Sequence, residues 1–316
     1  MFFLRKNLLV CLVVLFSSAL HTQPYVDLVN LNNQRVQTNY IDSFGGNNFL
    51  NNYALNITLP IKIDSTKTII IRGFAESLNY STEIKTNQTI PFTNQKAKEN
   101  LGVTTNFFAF ILPIGLQYQT PSQKWKWLIL AMPKVAGTQG DVYSSYQFQP
   151  GVFALATKKI NSNLSLKFGL FYNKEFFGNF IVPIVSADWK INNRMQLYGT
   201  FPTFYKFEYA LKKHVVYTGI NYRSYTRSFL LKGAEHNYMR IDDMSIKAFV
   251  EFYLSKKFVL YAEAGRMINY RLLDYQYNTR NKPENEINNS ILFRKNEIPF
   301  FINFGLAYRI RFDLEN

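Results

Sequence analysis

The first question is whether the sequence contains a catalytic base with a nucleophile beside it. There are three histidines, which are His21, His214 and His236. Histidine is the side chain most often used for general acid–base catalysis. Only His236 has a hydroxyl and two acids nearby in the sequence, which are Ser228, Glu235 and Asp242. These residue types could form a hydrolase site of the Ser-His-acid kind. A solvated loop histidine is the better interpretation, and no catalytic residue is predicted.

Metal, phosphate and thiol chemistry are not indicated by the sequence either. No two histidines have metal-ligand spacing, and no glycine-rich phosphate loop is present. The segment 274–297 is rich in Asn, Arg, Lys and Glu, but its acids are not spaced as calcium ligands. Cys11 is the only cysteine, and it lies in an apolar segment that we expect to be removed. A chain without Cys11 has no disulfide and no catalytic thiol. No cofactor and no metal are therefore predicted.

Charged residues near the C-terminus form the one cluster that could act together: Lys247, Glu251, Glu263, Arg309 and Arg311. A hairpin closed at 255–257 would place Glu263 opposite Phe249, with the nearby odd-numbered residues on the same face. Buried charges are costly unless they are paired. We therefore predict a Lys/Arg–Glu network that helps to close an enclosed space. The alternative is a set of separately hydrated groups in a wide, water-filled pore.

The elements that must position these residues are strands with two different faces. Apolar residues alternate with polar or small ones along 53–63, 108–118 and 300–312, which is the period of a strand. Short turns also alternate with mostly longer loops. Fourteen strands are predicted at 34–42, 53–63, 67–80, 104–118, 124–134, 146–157, 164–173, 180–190, 194–200, 203–211, 215–225, 244–254, 258–270 and 298–312. The number falls to twelve if the first is not a strand and 199–202 bends within one crossing.

The N-terminus predicts export from the cytoplasm. Arg5 and Lys6 precede a short apolar run, and small residues follow it up to Ala19, which is typical of a secretory signal peptide. We predict a signal peptide over 1–22, cleaved after Ala19 or just before Gln23. The rest of the chain, 23–316, contains no apolar run of the roughly 20 residues that a spanning helix needs. Its fold is predicted to be all-β, a single transmembrane antiparallel up-and-down β-barrel in the bacterial outer membrane, with both termini periplasmic.

Aromatic and basic residues agree with a membrane setting. The chain is 17% aromatic with a formal charge of +15. Trp125, Trp127 and Trp189 all fall beside predicted short turns, where interfacial tryptophans belong; the alternative is the core of a soluble β-sandwich. The basic residues are scattered and form no single patch, so nucleic acid is not a predicted partner. We expect the anionic headgroups of outer-membrane lipid and lipopolysaccharide to be partners.

The last predicted strand, Phe300 to Phe312, resembles the C-terminal signal by which outer-membrane barrels are recognised for insertion. It departs from that pattern because Asp313-Leu314-Glu315-Asn316 follow its closing aromatic residue. The exit near Gln23, the composition and the Leu-Pro strands resemble outer-membrane barrels of Bacteroidota type whose families are uncharacterised. The resemblance implies a location, a fold and a partner, the barrel-insertion machinery, but no activity.

Two classes of function remain open on the sequence alone. One is a non-enzymatic transport or channel-type barrel for a small solute, porin-like and with a partly plugged lumen. The other is a structural, adhesive or partner-binding barrel that acts through its long extracellular loops. An outer-membrane hydrolase ranks third.

Overall fold

Antiparallel strands make up almost all of the chain that the computed structural model describes, which is 25–38, 48–84, 86–87, 96–140, 147–231, 237–275, 291–292 and 300–311. The predicted signal peptide lies outside these ranges. Within them, no helix has the length and apolar character needed to cross a membrane. The fourteen strands are β1 (Tyr25–Thr38), β2 (Asn48–Lys62), β3 (Lys67–Ile84), β4 (Leu101–Ile111 with Ile114–Gln119), β5 (Trp125–Ala131 with Lys134–Thr138), β6 (Phe148–Gln149 with Gly151–Lys159), β7 (Leu164–Glu175), β8 (Gly178–Lys190), β9 (Met195–Thr200), β10 (Phe204–Lys212), β11 (Val216–Leu230), β12 (Tyr238–Tyr253), β13 (Phe258–Tyr275) and β14 (Phe300–Arg311).

The strands form a single sheet that closes on itself. Each pairs with its sequence neighbour, and β1 pairs with both β2 and β14. β4, β5 and β6 are interrupted at Pro113, Pro133 and Pro150, because proline cannot donate a ladder hydrogen bond. A short segment, Ile291–Leu292, pairs with β13 as well. The predicted all-β, fourteen-stranded antiparallel barrel is confirmed.

The first strand begins earlier than the sequence predicts. β1 starts at Tyr25 and ends at Thr38, whereas 34–42 was expected. The pairing with β14 shifts register between Asp27 and Val29. A bulge of this kind inserts one extra residue and breaks the two-residue period. The alternation that identifies the other strands is therefore lost where β1 begins.

Side chains alternate between a packed interior and an apolar exterior. On β5, Leu130 points inward and is 2% exposed, whereas Ile129 points outward and is 58% exposed. β8 and β14 follow the same pattern, with outward Val185 at 64% and Phe304 at 62%. Large apolar groups cover the outside along most strands. This surface is the reverse of a soluble β-protein, in which such groups face the core.

The two ends of the barrel differ in their connections. At one end, tight turns join β2–β3, β4–β5, β6–β7, β8–β9, β10–β11 and β12–β13, and both Tyr25 and Arg311 lie there. The carboxylate of Asp64 accepts hydrogen bonds from the backbone N–H and hydroxyl of Thr66, and these bonds hold its pKa below the usual value. Asn161 and Asn192 close similar turns. We call this the short-turn end and the opposite one the long-loop end.

Candidate functional site

The predicted charged residues face the inside of the barrel on β12, β13 and β14. β12 and β13 pair in the expected register, with Phe249 opposite Glu263. Lys247, Glu251, Arg309 and Arg311 are each at most 6% exposed. Their partners include side chains of β1, β10 and β11, which the sequence analysis did not name.

Lys247 and Glu263 form one ion pair in this cluster. The Lys247 Nζ lies 2.5 Å from Glu263 Oε2. Asn221 Nδ2 donates to Oε1 of the same carboxylate at 2.6 Å, and Asn303 Nδ2 donates to Oε2 at 2.6 Å. Both carboxylate oxygens therefore have partners, as a buried charge requires. The pair connects β11, β12, β13 and β14 on the inner wall.

The carboxylate of Glu251 forms ion pairs with two cationic side chains. Lys206 Nζ lies 2.6 Å from Glu251 Oε1, and Arg309 Nη1 lies 2.8 Å from Oε2. Arg309 also donates through Nε to Asp27 at 2.5 Å, and its guanidinium lies 3.6 Å from the centre of the Tyr25 ring. Since β10 and β12 are separated by β11, these side chains connect strands that are not neighbours in the sheet.

Arg311 forms another buried ion pair with a carboxylate, and this pair lies nearest the short-turn end. Its guanidinium donates to the carboxylate of Glu208 and to the hydroxyl of Tyr253, and it lies 3.6 Å from the centre of the Tyr217 ring. A small apolar cluster surrounds these groups and includes Ala210, Val259 and Ala307. Charged and apolar side chains together fill this end of the lumen on the β10–β14 side.

The lumen also narrows towards the long-loop end, where β11 bends inward. Leu230 bridges to Gly137 of β5, across the barrel from its sheet neighbours. Ser228 Oγ donates to Glu175 Oε2 at 2.5 Å, and Glu175 pairs with Lys134 at 2.9 Å. Inward apolar side chains pack in the same half: Leu78, Phe107, Phe229, Met239, Ile241 and Phe301. We call these six residues the apolar plug.

Between these packed regions, residues that the structure describes line two neighbouring cavities. The larger is about 490 Å³ and is lined mainly by polar and charged groups, including Asn56, Arg223 and Glu263; we call it the polar chamber. The smaller is about 380 Å³ and carries many apolar side chains of β3 to β6; we call it the apolar chamber. Four residues line both chambers: Val26, Thr58, Arg72 and Phe204. The two spaces therefore adjoin inside one lumen.

Among the described strands, the backbone ladder has a long break between β8 and β11. β8 pairs with β9 only at Trp189 and Lys190, although β8 pairs with β7 along its whole length. The short β9–β10 hairpin turns back at 201–203. The part of β11 that follows Ser224 in the chain therefore has no β10 partner either. Residues 178–187 of β8 therefore face β11 across a gap without ladder hydrogen bonds to it. We call this the β8–β11 gap.

Gly199 marks the place where β9 leaves β8. Its φ is +154°, and a Cβ there would lie 2.3 Å from the Phe204 carbonyl oxygen, so a side chain would not fit. Its N–H donates to Asp188 Oδ1 at 3.2 Å, and its carbonyl accepts from Lys167 Nζ at 2.9 Å. Side chains thus replace the ladder at this point.

The hydrolase residues considered from the sequence do not form a described site. His236 and Glu235 lie outside the described residues, and so does His21. Ser228 and Asp242 are committed to other partners, Glu175 and Arg240. His214 lies in the β10–β11 turn, with φ +66°. Over the described ranges, no three His, Cys, Asp or Glu side chains are grouped as metal ligands. Most of the segment 274–297 is outside those ranges.

The three tryptophans lie near the short-turn end, on outward-facing positions. Trp125 and Trp127 stack with ring centres 5.7 Å apart, next to the β4–β5 turn. Trp127 is 46% exposed and Trp189 is 47% exposed. Trp189 pairs with Leu164, the first residue of β7, and therefore lies near the short-turn end. Their indoles thus belong to the exterior of the barrel.

Sequence reasoning missed Asp27, Lys206, Glu208, Arg72 and Arg223. Asp27 lies before the predicted start of β1, in the bulge. Lys206 and Glu208 alternate with outward residues on β10, so their inward direction was readable. The partners of Lys206 and Glu208 could not be predicted from the sequence, because Glu251 and Arg311 come from strands that are not adjacent to β10.

Comparison with known proteins gives one family and several distant folds. A family model described as a domain of unknown function, DUF6268, matches residues 42–309. No curated protein matches the sequence. The COG4313 outer membrane channel from Pseudomonas putida F1 is 9% identical over 93% of this chain and 98% of its own, with a TM-score of 0.44. The P. putida toluene transporter TodX is 11% identical over 90% and 88%, with a TM-score of 0.42. A mutant of the Rh. blastica porin is 9% identical over 89% and 99%, with a TM-score of 0.30.

Proposed function

We propose a transport function in the outer membrane for this chain, which belongs to the DUF6268 family. The exterior supports the location, because outward residues such as Ile129, Val185 and Phe304 are apolar and largely exposed. Outside the β8–β11 gap, the closed barrel pairs its backbone groups from strand to strand, as a bilayer demands. Non-enzymatic transport is favoured over hydrolysis because Ser228 and Asp242, the described residues of the hydrolase alternative, pair with Glu175 and Arg240 and not with a histidine.

The orientation follows from the two ends. Outer-membrane barrels have short periplasmic turns and longer extracellular loops. We therefore place the short-turn end, with Tyr25 and Arg311, in the periplasm and the long-loop end outside. The outward tryptophans at the short-turn end would then lie at the inner interface. The cleaved signal peptide and the Bacteroidota-type relationship belong to the same hypothesis.

The observation that carries transport is the pair of adjoining chambers inside the barrel. Their volumes, about 490 and 380 Å³, fall in the range of small-molecule sites, roughly 300–1,000 Å³. A lumen packed only for stability would leave no such space. The apolar plug and the Arg311 cluster narrow the lumen on either side of the chambers. A selective carrier of small solutes fits this arrangement better than a general water-filled pore.

A route into the chambers is suggested by the β8–β11 gap. Thr200 and Phe204, on either side of the turn that bounds the gap, also line the apolar chamber. Side chains can move without breaking ladder hydrogen bonds, so this part of the wall opens at lower cost than a paired part. We propose that solute passes through the gap and not straight through the apolar plug.

Two measurements test transport. In planar bilayers, the purified barrel should conduct little; a large, steady conductance would identify a general pore. Cells with the barrel in their outer membrane should take up at least one of three radiolabelled solutes, a monosaccharide, an amino acid or a medium-chain carboxylate, faster than cells without it. Leu128→Trp should fill the apolar chamber and abolish the gain, whereas the outward Ile129→Trp should not.

The alternative is a barrel that acts as a scaffold, an adhesin or a partner-binding surface through its extracellular loops. The packed regions at both ends of the lumen favour it, since a closed barrel needs no cargo. It predicts equal uptake with and without the barrel for all three solutes, and no effect of Leu128→Trp. That result would replace the transport proposal.

A further inference from the structure

The charges that line the polar chamber do not balance. Its carboxylates are those of Asp27, Glu251 and Glu263, and each already has a cationic partner in the network described above. Two guanidiniums, Arg72 and Arg223, line the same chamber, and neither forms an ion pair with any carboxylate among the described residues. The chamber is therefore a site with surplus positive charge.

The two arginines lie on opposite walls. Arg72 belongs to β3 and Arg223 to β11, and at least five strands separate them in either direction around the barrel. Arg72 faces inward, yet it is exposed, because the space in front of it is open chamber. Arg223 is half-buried, and its guanidinium lies 5.1 Å from the centre of the Tyr225 ring. Both guanidiniums line the polar chamber, so an anion inside it is attracted by both walls.

Arg72 also stands where the polar chamber meets the apolar one. Beyond it, the apolar chamber has Gln117, Lys126, Thr157, Lys167 and Thr200 among its lining residues, but most of its lining is aliphatic and aromatic, including Ile70, Leu128, Leu130, Met132, Phe153 and Leu155. A guanidinium binds carboxylate and related oxyanions through paired N–H groups. An adjoining apolar space of about 380 Å³ gains free energy by taking up an apolar group. The two neighbouring environments suit the two ends of one molecule.

We propose that the lumen binds an amphipathic organic anion, with its oxyanion in the polar chamber, where Arg72 and Arg223 supply the positive charge, and its apolar part in the apolar chamber. This inference rests on the proposed transport function and adds the chemical class of the solute. A small inorganic anion would use the guanidiniums alone and leave the apolar chamber unused. A neutral hydrocarbon would leave both guanidiniums without an anion. Only the amphipathic class uses every feature of the site.

Photolabelling of the folded, purified barrel tests the site directly. The probe is a medium-chain carboxylate with a diazirine at its apolar end, and its methyl ester is the neutral control. The carboxylate should label residues of the apolar chamber, such as Leu130 and Met132, as mapped by mass spectrometry. Loss of a charge-assisted hydrogen bond costs about 1.5–3 kcal/mol, so Arg72→Gln should raise the half-saturating concentration about tenfold or more. Arg223→Gln should act in the same direction.

Matched controls make the result decisive. Arg266 is exposed on the outer face of β13, so Arg266→Gln should label like the unmodified barrel. Each variant is first checked for the gel shift on boiling that folded barrels show. Equal labelling by the ester, unchanged labelling of Arg72→Gln, or labels confined to the outer surface would overturn the inference. Chamber labelling without uptake of any solute would refute transport alone, whereas uptake without chamber labelling would refute this site alone.

Discussion

Glu251 is the residue on which the interior network depends most. It is 4% exposed and neutralises both Lys206 and Arg309. Removing one partner of a buried ion pair costs about 3–5 kcal/mol, because the remaining charge stays buried. Glu251→Ala should therefore lower the unfolding midpoint in urea and the temperature at which the folded band is lost on gels. Lys256→Ala, in an exposed turn, should change neither.

Glu263 provides a second, independent test of the same network. Glu263→Ala leaves Lys247 without its carboxylate and Asn221 and Asn303 without their acceptor. We expect lower thermal stability and a larger leak in planar bilayers than for the unmodified barrel. If the charges were separately hydrated groups in a wide pore, both the stability and the conductance would stay unchanged.

At the level of residues, the sequence predicted directions better than partners. The alternation on β12, β13 and β14 placed all five predicted charges on the inner face. Pairing within a hairpin follows from the turn, so the Lys247–Glu263 neighbourhood could be anticipated. The contact of Glu251 with Lys206 could not, because it depends on the curvature and width of the closed barrel. The surplus charge of Arg72 and Arg223 could not be predicted either, because it depends on which cation each carboxylate of the polar chamber pairs with.

The alternation of each strand makes a prediction about which side chains meet lipid. Ile129 and Leu128 are neighbours on β5, but Ile129 is outward whereas Leu128 lines the apolar chamber. Arginine on the lipid face of a barrel costs about 2–4 kcal/mol near the bilayer midplane. Ile129→Arg should therefore reduce the free energy of folding into vesicles more than Leu128→Arg, which can reach the polar chamber. The opposite order in denaturant titrations would show that the faces are assigned wrongly.

The β8–β11 gap makes a prediction about backbone protection. Amides in a two-sided ladder exchange hydrogen only when strands separate, whereas amides facing a gap lack that protection. Peptides that cover 180–187 should exchange faster than peptides that cover 246–252, which are paired on both sides. Hydrogen exchange followed by mass spectrometry measures this. Equal protection of the two segments would mean that the gap is closed in the membrane.

At the level of elements, the sequence showed the strands but not their departures from a regular wall. Turn residues and alternation predicted fourteen strands, although they placed the first at 34–42 and not at Tyr25–Thr38. The short joint at 199–202 is apparent in the sequence, but its consequence, a β9–β10 hairpin that leaves one edge of β8 without a ladder partner, depends on the positions of β8 and β11. The inward bend of β11 to Gly137 joins strands far apart in sequence. Local patterns carry no information on such contacts.

At the scale of the whole molecule, charged side chains and large apolar side chains lie in different places. The inner acids and many bases neutralise one another across the lumen, and the apolar side chains that a soluble protein would bury cover the outside. The formal charge of +15 is therefore not a property of one surface. The ion pairs inside contribute nothing to this net charge, which resides instead on groups such as the two chamber arginines and lysines at the ends, for example Lys213 and Lys256.

The orientation of the whole barrel can be tested with single cysteines, because the only native cysteine, Cys11, lies in the predicted signal peptide. Lys98 is exposed at the long-loop end, and Lys213 and Lys256 are exposed at the short-turn end. If long loops are extracellular, Lys98→Cys and Glu286→Cys should react with a bulky, membrane-impermeant thiol reagent on intact cells. Lys213→Cys and Lys256→Cys should react only after the cells are broken. Reaction of the turn cysteines on intact cells, with protection of Lys98→Cys, would require the barrel to be inverted.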